Sequence, residues 1–198
     1  MRLTPPAKPT KAQLAAAVHL TVPDLLVRGL DVLFCGINPG LYTAAIGHHF
    51  GRPGNRFWPA LFGAGFTSRL FKPWEEHELL ALGIGVTNMV ERTTASAAEL
   101  QPSEYVAGGE RLTHVVSLYA PRVVAFLGIG AYRTAFARPR AQLGVQADRI
   151  GTSALWVLPS PSGLNANHQL PDLIVLFTEL REWVTTMKGQ LTSPLDSA

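Results

Sequence analysis

The first candidate for chemistry is Asn38, an amide side chain that follows a strongly apolar segment. Residues 32–35 read VLFC, which is typical of a short strand buried on both faces. Gly36 ends this run, so Asn38 lies just beyond the carboxyl end of the strand, where open α/β sheets bind ligands. Pro39 disfavours a helical conformation for the residue before it and predicts an extended backbone at Asn38. Asn38 is therefore either a site residue at the mouth of a strand or part of a local Asx turn.

A second polar loop follows the last predicted strand. Residues 158–168 read LPSPSGLNANH, in which two prolines and a glycine stiffen the chain before Ser, Asn and His side chains. In a parallel sheet the loops that follow the strands lie at one edge, so this loop and the Asn38 loop can meet at one pocket. Taken alone, the segment is an ordinary connection made of turn residues.

Strands and helices alternate along the chain and place both loops at the same edge of a sheet. Apolar runs predict strands at residues 32–35, 83–90, 121–127 and 155–158. Periodicity and capping residues predict helices at 55–62, from Pro73, from Ser103 to Tyr119, at 131–137 and from Pro171 to 187. The intervening segments 41–54 and 138–149 are predicted to be loops. This alternation favours an α/β fold of three layers, α/β/α, with a mainly parallel central sheet.

The composition indicates one folded domain with short tails. The chain has 198 residues, of which 47% are hydrophobic and 16% charged, and this is enough for one substantial core. We assign residues 1–22 to a basic, proline-containing tail, residues 23–187 to a single domain and residues 188–198 to a second tail. Within the first tail, residues 11–20 are also compatible with a short helix.

Several classes of protein do not fit the sequence. No apolar run approaches the roughly 20 residues that a membrane helix needs, and the N-terminus lacks the apolar core of a secretion signal. The single cysteine, Cys35, allows neither an internal disulfide nor a cysteine-bound iron–sulfur cluster. The six histidines show no metal-ligand spacing. We therefore expect a cytoplasmic protein that uses no metal or other cofactor and does not bind membranes. We also expect a monomer, since no spare apolar helix face is evident in the sequence.

The positive charge is concentrated at the N-terminus. Arg2, Lys8 and Lys11 precede the first acidic residue, Asp24, and the net charge of the whole chain is also +3. Residues 12–198 are therefore neutral in sum. A basic tail can help to hold a polyanion, but the charge alone does not argue for nucleic acid.

Four motifs in order carry a resemblance to a known family. They are GINPGL at residues 36–41, NRFW at 55–58, AGGERL at 107–112 and LPSPSGL at 158–164. Together they resemble the mismatch-specific uracil-DNA glycosylase family, which is related to thymine-DNA glycosylase, over about residues 29–187. The resemblance implies a uracil-DNA glycosylase-like fold and a base excision repair enzyme. Its expected partner is double-stranded DNA that contains a mismatched or damaged pyrimidine.

The resemblance also implies a mechanism. The enzyme would flip uracil, or a related damaged pyrimidine, out of the duplex, with a preference for uracil opposite guanine, and then hydrolyse the N-glycosidic bond. Asn38 matches the residue that holds the attacking water, which an amide can do through its carbonyl oxygen. Catalysis would then rest on positioning and electrostatics. Because no lysine accompanies the GINPGL or LPSPSGL motif, we expect a monofunctional hydrolase without a Schiff base.

Five positions are expected to bind the flipped base. Phe50 matches the aromatic residue that stacks on the base, although packing in the core is its alternative role. Ile37 would line the pocket through its backbone. Thr43 would lie near the pyrimidine 5-position, where the family usually has a smaller serine, and Ser160 replaces a common asparagine. Asn88 stands where a lysine can occur, and its amide could pair with a pyrimidine edge.

The second loop is expected to contact DNA. Leu164 fits a wedge that fills the space left by the extruded base, although an exposed leucine by itself is common. Gly163 and Asn165 would present polar groups to the opposite guanine. Ser162 suits a phosphate, as does the basic segment 138–149.

Glu91 is the only carboxylate at the end of the second predicted strand. One hypothesis gives it a catalytic role, in which it activates the water or stabilises the cationic sugar. The competing interpretation is a helix cap or a salt bridge with Arg92, and we rank it slightly ahead.

Two rival functions keep parts of this site. A mismatch or damage reader without catalytic activity would keep Leu164 and the pocket but release no base. A hydrolase of free nucleosides would not need Leu164. The GIGAYR segment at residues 128–133 is a poor dinucleotide motif because Arg133 replaces its third glycine.

Overall fold

Five strands form one central sheet in the computed structural model, which describes residues 4–192 and the side chains up to residue 189. The strands are β1 (Val32–Gly36), β2 (Ile84–Asn88), β3 (Val123–Leu127), β4 (Gly144–Ile150) and β5 (Ser153–Leu158). The helices are α1 (Lys11–Ala16), α2 (Leu41–Ile46), α3 (Phe57–Gly63), α4 (Glu78–Ala81), α5 (Pro102–Tyr119), α6 (Ile129–Ala135) and α7 (Leu170–Thr192). Single 3₁₀ turns add Ala17–His19, Pro73–Glu75 and Ala97–Glu99.

The strands lie in the order β2-β1-β3-β5-β4. The first four are parallel, and β4 pairs antiparallel with β5 at the edge of the sheet. The carboxyl ends of β1, β2, β3 and β5 therefore lie along one edge. This architecture confirms the predicted α/β fold with a mainly parallel sheet.

Helices cover both faces of the sheet. On one face Phe34 of β1 packs with Phe57 of α3 and Phe177 of α7, and the centroid of its ring lies 5.4 Å from that of Phe57 and 5.6 Å from that of Phe177. On the other face Leu33 belongs to a second core that includes α5 and α6. Neighbouring residues of β1 thus point into different cores, which explains why the strand is apolar without alternation.

The structure corrects two predicted loops. Residues 41–54 contain α2, and residues 138–149 contain most of β4. The β4 side chains alternate between half-buried and exposed, because this edge strand covers only part of the core. Its polar sequence therefore hid a strand that a search for apolar runs could not find. Within this segment Arg138 forms an ion pair with Asp148.

Both ends of the packed region extend beyond the predicted domain. At the N-terminal end, α1 and the following turn place Ala17 against Val22 and Ala44 of α2. At the C-terminal end, α7 continues past residue 187, and Lys188 Nζ lies 2.7 Å from Asp31 Oδ2. Residues 1–3 and 193–198 of the two predicted tails lie outside the described residues. Within the part of the chain that is described, none of the helices has the length and apolar character needed to cross a bilayer.

Helix α5 begins two residues earlier than predicted. Pro102 is its first residue and Gln101 is the N-cap, whereas the prediction from the sequence takes Ser103 as the capping residue. Its two central glycines allow close packing: a Cβ on Gly108 would lie 2.3 Å from the Met89 carbonyl oxygen, directly beyond β2. Each glycine destabilises the helix by about 1 kcal/mol relative to alanine. Gly108 nevertheless allows α5 to pack directly against the residue that follows β2.

Candidate active site

A pocket opens where the parallel strands end. Its wall includes eight of the eleven predicted site residues: Ile37, Asn38, Thr43, Phe50, Asn88, Ser160, Ser162 and Leu164. Residues after β1 and β2 form its floor, and the segment after β5 forms one rim. The two polar loops of the sequence analysis therefore do meet at one pocket.

The Asn38 loop is held as a continuation of the sheet. The backbone N–H of Met89 donates to Gly36 O at 2.8 Å, and that of Val90 donates to Ile37 O at 2.9 Å. Further on, the Thr94 N–H donates to Pro39 O at 3.1 Å. The segment after β2 thus fixes the loop after β1 through three backbone hydrogen bonds.

The side chain of Asn38 has a defined orientation. Its Nδ2 donates to Thr94 Oγ1 at 2.7 Å and to Arg92 O at 2.9 Å, and it lies 3.2 Å from Pro39 O. All three atoms are acceptors, so they fix the amide nitrogen on this side. Among the described residues none donates to Oδ1, which leaves the carbonyl oxygen as an acceptor at the pocket wall.

Asn88 is oriented from behind by a buried histidine. The side chain of His49 is 1% exposed, and its Nε2 lies 3.0 Å from Pro23 O, an atom that only accepts hydrogen bonds. Burial lowers the pKa of His49, against the opposing effects of Glu76 and the Pro23 carbonyl, so its imidazole is neutral with the proton on Nε2. Its Nδ1 is then an acceptor and faces Asn88 Nδ2 at 3.5 Å.

The backbone of Asn88 is held by α5. Arg111 Nη2 donates to Asn88 O at 2.9 Å, and its Nη1 lies 3.3 Å from Asp24 Oδ2. Asp24 in turn accepts from Thr87 Oγ1 at 2.7 Å. The AGGERL motif therefore acts behind the pocket: Gly108 permits the approach of α5, and Arg111 fixes the end of β2.

Phe50 belongs both to the pocket and to the core. Its ring is stacked on Phe57 with centroids 4.0 Å apart, and it also lines the pocket. The backbone at Phe50 has φ of 52°, a left-handed conformation that is costly for an aromatic residue. Gly36 makes room beside it, because a Cβ there would lie 2.5 Å from Asn88 Oδ1 and 3.4 Å from the Phe50 ring. Phe50 therefore packs in the core and also faces the pocket.

Glu76 stabilises the turn before Phe50 through both of its carboxylate oxygens. One carboxylate oxygen lies 2.7 Å from His48 Nδ1, and the other accepts from the His49 N–H at 2.7 Å. Both Glu76 and His49 are buried. The histidine pair is therefore a structural element at the pocket, held in place by Glu76.

The segment at residues 159–169, here called the Leu164 loop, forms the outer rim. Leu164 is 67% exposed, although its neighbours are held in place. The Asn165 side chain donates to Ser160 O at 2.9 Å and accepts from the Asn167 N–H at 3.0 Å. Its amide therefore shapes the loop. Ser162 Oγ accepts from the Leu164 N–H at 3.3 Å.

Glu91 is the predicted catalytic residue that the structure does not bring to the pocket. It follows β2 but points toward α5, where its Oε2 is 3.7 Å from Arg111 Nε and its side chain is 61% exposed. The alternative partner, Arg92, pairs instead with Glu104 at 2.7 Å. Glu91 thus has a salt-bridge position, although with a different arginine from the one we predicted.

The sequence analysis missed three residues that organise this site. Thr94 holds the Asn38 amide, His49 faces Asn88, and Arg56 contacts the Leu164 loop. Arg56 was visible only as part of the NRFW motif. Within the described side chains, no cluster of three or more His, Cys, Asp or Glu residues is placed to hold a metal ion.

A comparison with protein families matches this chain to the uracil DNA glycosylase superfamily over residues 23–183. The matched region covers most of the chain. It includes the whole sheet, both loops of the pocket and the part of α7 that packs against the core.

Proposed function

The chain belongs to the uracil DNA glycosylase superfamily, and on that basis we propose that it removes uracil from double-stranded DNA with a preference for uracil opposite guanine. Membership makes the protein a DNA glycosylase, a hydrolase that acts on uracil in DNA in base excision repair. The preference for a mismatch, the flipping of the base and the roles of individual residues are the proposal. The proposed reaction requires no cofactor.

The orientation of Asn38 is the observation that carries the proposed mechanism. With Nδ2 bound to Thr94 and Arg92, Oδ1 can accept a hydrogen bond from a water molecule in the pocket. In the reaction the C1′–N1 bond breaks, uracil leaves as an anion and the water oxygen bonds to the cationic C1′. The proton of the water is then released to solvent. Asn38 takes no proton in this scheme; it positions the nucleophile.

The base would occupy the space between Phe50 and Asn88. The Phe50 ring offers a stacking surface. Nδ1 of the neutral His49 faces Asn88 Nδ2 and so orients the Asn88 amide. Asn88 Oδ1 lies on the Gly36 side, where it can accept the N3–H of uracil. Ile37 and Ser160 complete the wall, and Thr43 on α2 limits the room for a 5-substituent.

A monofunctional hydrolase fits the composition of the pocket. Among the described residues that line it, none is a lysine, so no amine is placed to form a Schiff base with the sugar. The cationic side chain in the lining is Arg52, a guanidinium that does not act as a nucleophile.

Binding to a duplex is assigned to the Leu164 loop. Leu164 would enter the base stack as the nucleotide leaves it, and the exposed backbone at Gly163 would face the orphaned guanine. Ser162 lies at the same rim and suits a phosphate oxygen. Asn165 would act through the shape of the loop, since its side chain is bound within it.

The test is the release of free uracil from a G·U duplex and from the same strand without its complement. We expect release from the duplex, and a loss of about 10²- to 10³-fold in single-turnover rate for Asn38→Ala. Tight binding without release by the wild-type protein would favour the mismatch reader. A rate unchanged in Asn38→Ala would contradict the proposed role of this amide.

A further inference from the structure

Arg56 lies beneath the Leu164 loop and is bound to it at five points. Its backbone N–H donates to Pro161 O at 2.9 Å. Its guanidinium donates through Nη1 to His168 O at 2.7 Å and to Gln169 Oε1 at 3.1 Å. Nη2 donates to Asn165 O at 2.8 Å and to Ser162 O.

The four guanidinium contacts use all four N–H bonds of the two terminal nitrogens. Three of the acceptors are backbone carbonyls in a loop without helix or strand, where such groups lack regular partners. Two of these carbonyls, on Ser162 and Asn165, lie on either side of Leu164. Arg56 therefore fixes the chain both before and after the exposed leucine.

We propose that Arg56 is a positioning residue that holds Leu164 ready to enter a duplex, and that this contact makes cleavage selective for uracil in base-paired DNA. The proposal rests on the function proposed above and deepens it by naming what sets the substrate class. Arg56 lies outside the pocket lining and touches neither the base nor the water in this scheme.

The geometry of a guanidinium is what this position requires. It is a planar fork that can reach separate acceptors in fixed directions, whereas an ammonium group offers three donors from one point. No described carboxylate forms an ion pair with Arg56, so its charge also adds to the positive potential at the rim. Lysine would keep the charge and lose the fork, and so separates these two effects.

A second contact holds the loop to the same support. A Cβ on Gly163 would lie 2.7 Å from Gly54 O and 3.3 Å from the Gly54 carbonyl carbon, so the two backbones touch. Gly163→Ala should therefore displace the loop while residue 56 remains an arginine. This gives an independent way to move Leu164.

The experiment measures single-turnover uracil release from two DNA substrates. One is a G·U duplex, and the other places the same uracil in a one-nucleotide bulge, which is already unpaired and has no partner base. The variants are Arg56→Gln, Arg56→Lys, Gly163→Ala, Leu164→Ala and the double variant Arg56→Gln/Leu164→Ala. Arg122→Gln is the matched control, because Arg122 pairs with Asp31 at the other end of the sheet. Thermal melting shows whether each variant is folded.

We expect Arg56→Gln and Leu164→Ala each to slow release from the duplex about tenfold and to leave the bulge rate nearly unchanged. The double variant should be no slower than the worse single variant, since both changes remove the same wedge. Arg56→Lys should resemble Arg56→Gln, and Gly163→Ala should show the same selective loss. Arg122→Gln should match wild type on both substrates.

Two results would overturn the inference. One is an equal loss on duplex and bulge in Arg56→Gln, which a general structural role would produce. The other is a double variant whose loss is the product of the single losses. If Arg56→Gln does not fold, Arg56→Lys, which keeps the charge but loses the planar fork, decides the case in the same way. A wild-type protein that releases no uracil from either substrate would instead overturn the proposed function itself, and this inference with it.

Discussion

Asn38 and Leu164 line the same pocket, but the protein holds them in different ways. Asn38 is half-buried, and its loop continues the hydrogen bonding of β1 with the segment after β2. Leu164 is 67% exposed in a loop without regular structure, and the contacts that fix its neighbours come from Arg56 on a different segment. Asn38 is supported mainly by backbone pairing that continues the sheet, and Leu164 mainly by contacts of its loop with Arg56 and Gly54.

This difference suggests a division of labour. A group that positions water must be fixed closely, because small displacements are costly to the reaction rate. A wedge must stay exposed to meet the base stack, and so it can be fixed only from below. We therefore expect changes in the support of Asn38 to affect every substrate, and changes in the support of Leu164 to affect duplex DNA alone.

The largest effect outside Asn38 itself is expected at Thr94. Thr94→Val keeps the shape of the side chain but removes the acceptor that lies 2.7 Å from Asn38 Nδ2. Only the Arg92 and Pro39 carbonyl oxygens then orient the amide, and we expect single-turnover release to fall between about tenfold and a hundredfold on both G·U duplex and bulged uracil.

The adjacent residue provides a matched control for that experiment. Thr93 Oγ1 donates to Leu20 O at 2.6 Å and has no contact with Asn38. Thr93→Val should cost about 1 kcal/mol in the free energy of unfolding and leave both release rates near wild type. A Thr94→Val protein that is slow on the duplex but not on bulged uracil would contradict the proposed division of labour, because the support of Asn38 would then affect base flipping.

A smaller effect is expected from His49, through stability. The ordinary pKa of histidine is 6.5, and burial lowers that of His49 in the folded protein. Below pH 6.5 the unfolded chain therefore binds a proton that the folded protein excludes. The contribution of His49 to the free energy of unfolding should be complete above pH 6.5 and fall with acidification by at most about 1.4 kcal/mol per pH unit, until the lowered pKa is reached.

Chemical unfolding of wild type, His49→Gln and His168→Gln over this pH range would measure that contribution. Glutamine can still donate to Pro23 O but does not titrate, so His49→Gln should lose this part of the slope. His168 belongs to the Leu164 loop and gives Arg56 only its backbone oxygen, so His168→Gln is the control for the loss of an imidazole elsewhere in the chain. An identical slope in all three proteins would mean that the His49 environment admits the proton.

The two regions also differ in how well the sequence predicts them. The strand before Asn38, the glycine that ends it and the following proline are neighbours in the chain, and they correctly placed Asn38 at the strand end. The sheet, with four parallel strands, followed from the same apolar runs. These features were predictable because they depend on residues that are neighbours in the chain.

The supports were not predictable because they come from distant residues. Thr94 is 56 residues from Asn38, and Arg56 lies 106 to 113 residues from the atoms that its side chain contacts. Nothing in the local pattern around Arg56 distinguishes it from a surface cation. Strand β4 was missed for a related reason: its pairing with β5, rather than an apolar run, determines its conformation.

The smallest expected effect tests whether the chemistry is confined to the Asn38 side of the pocket. Glu91 is exposed, does not line the pocket, and forms an ion pair with Arg111 at 3.7 Å. Glu91→Ala should therefore change the release of uracil by less than about twofold and the free energy of unfolding by less than about 0.5 kcal/mol. Glu110 is also an exposed acid and lies on α5, so Glu110→Ala is the control for the loss of one negative charge. A tenfold loss in Glu91→Ala that is absent in Glu110→Ala would restore the catalytic hypothesis.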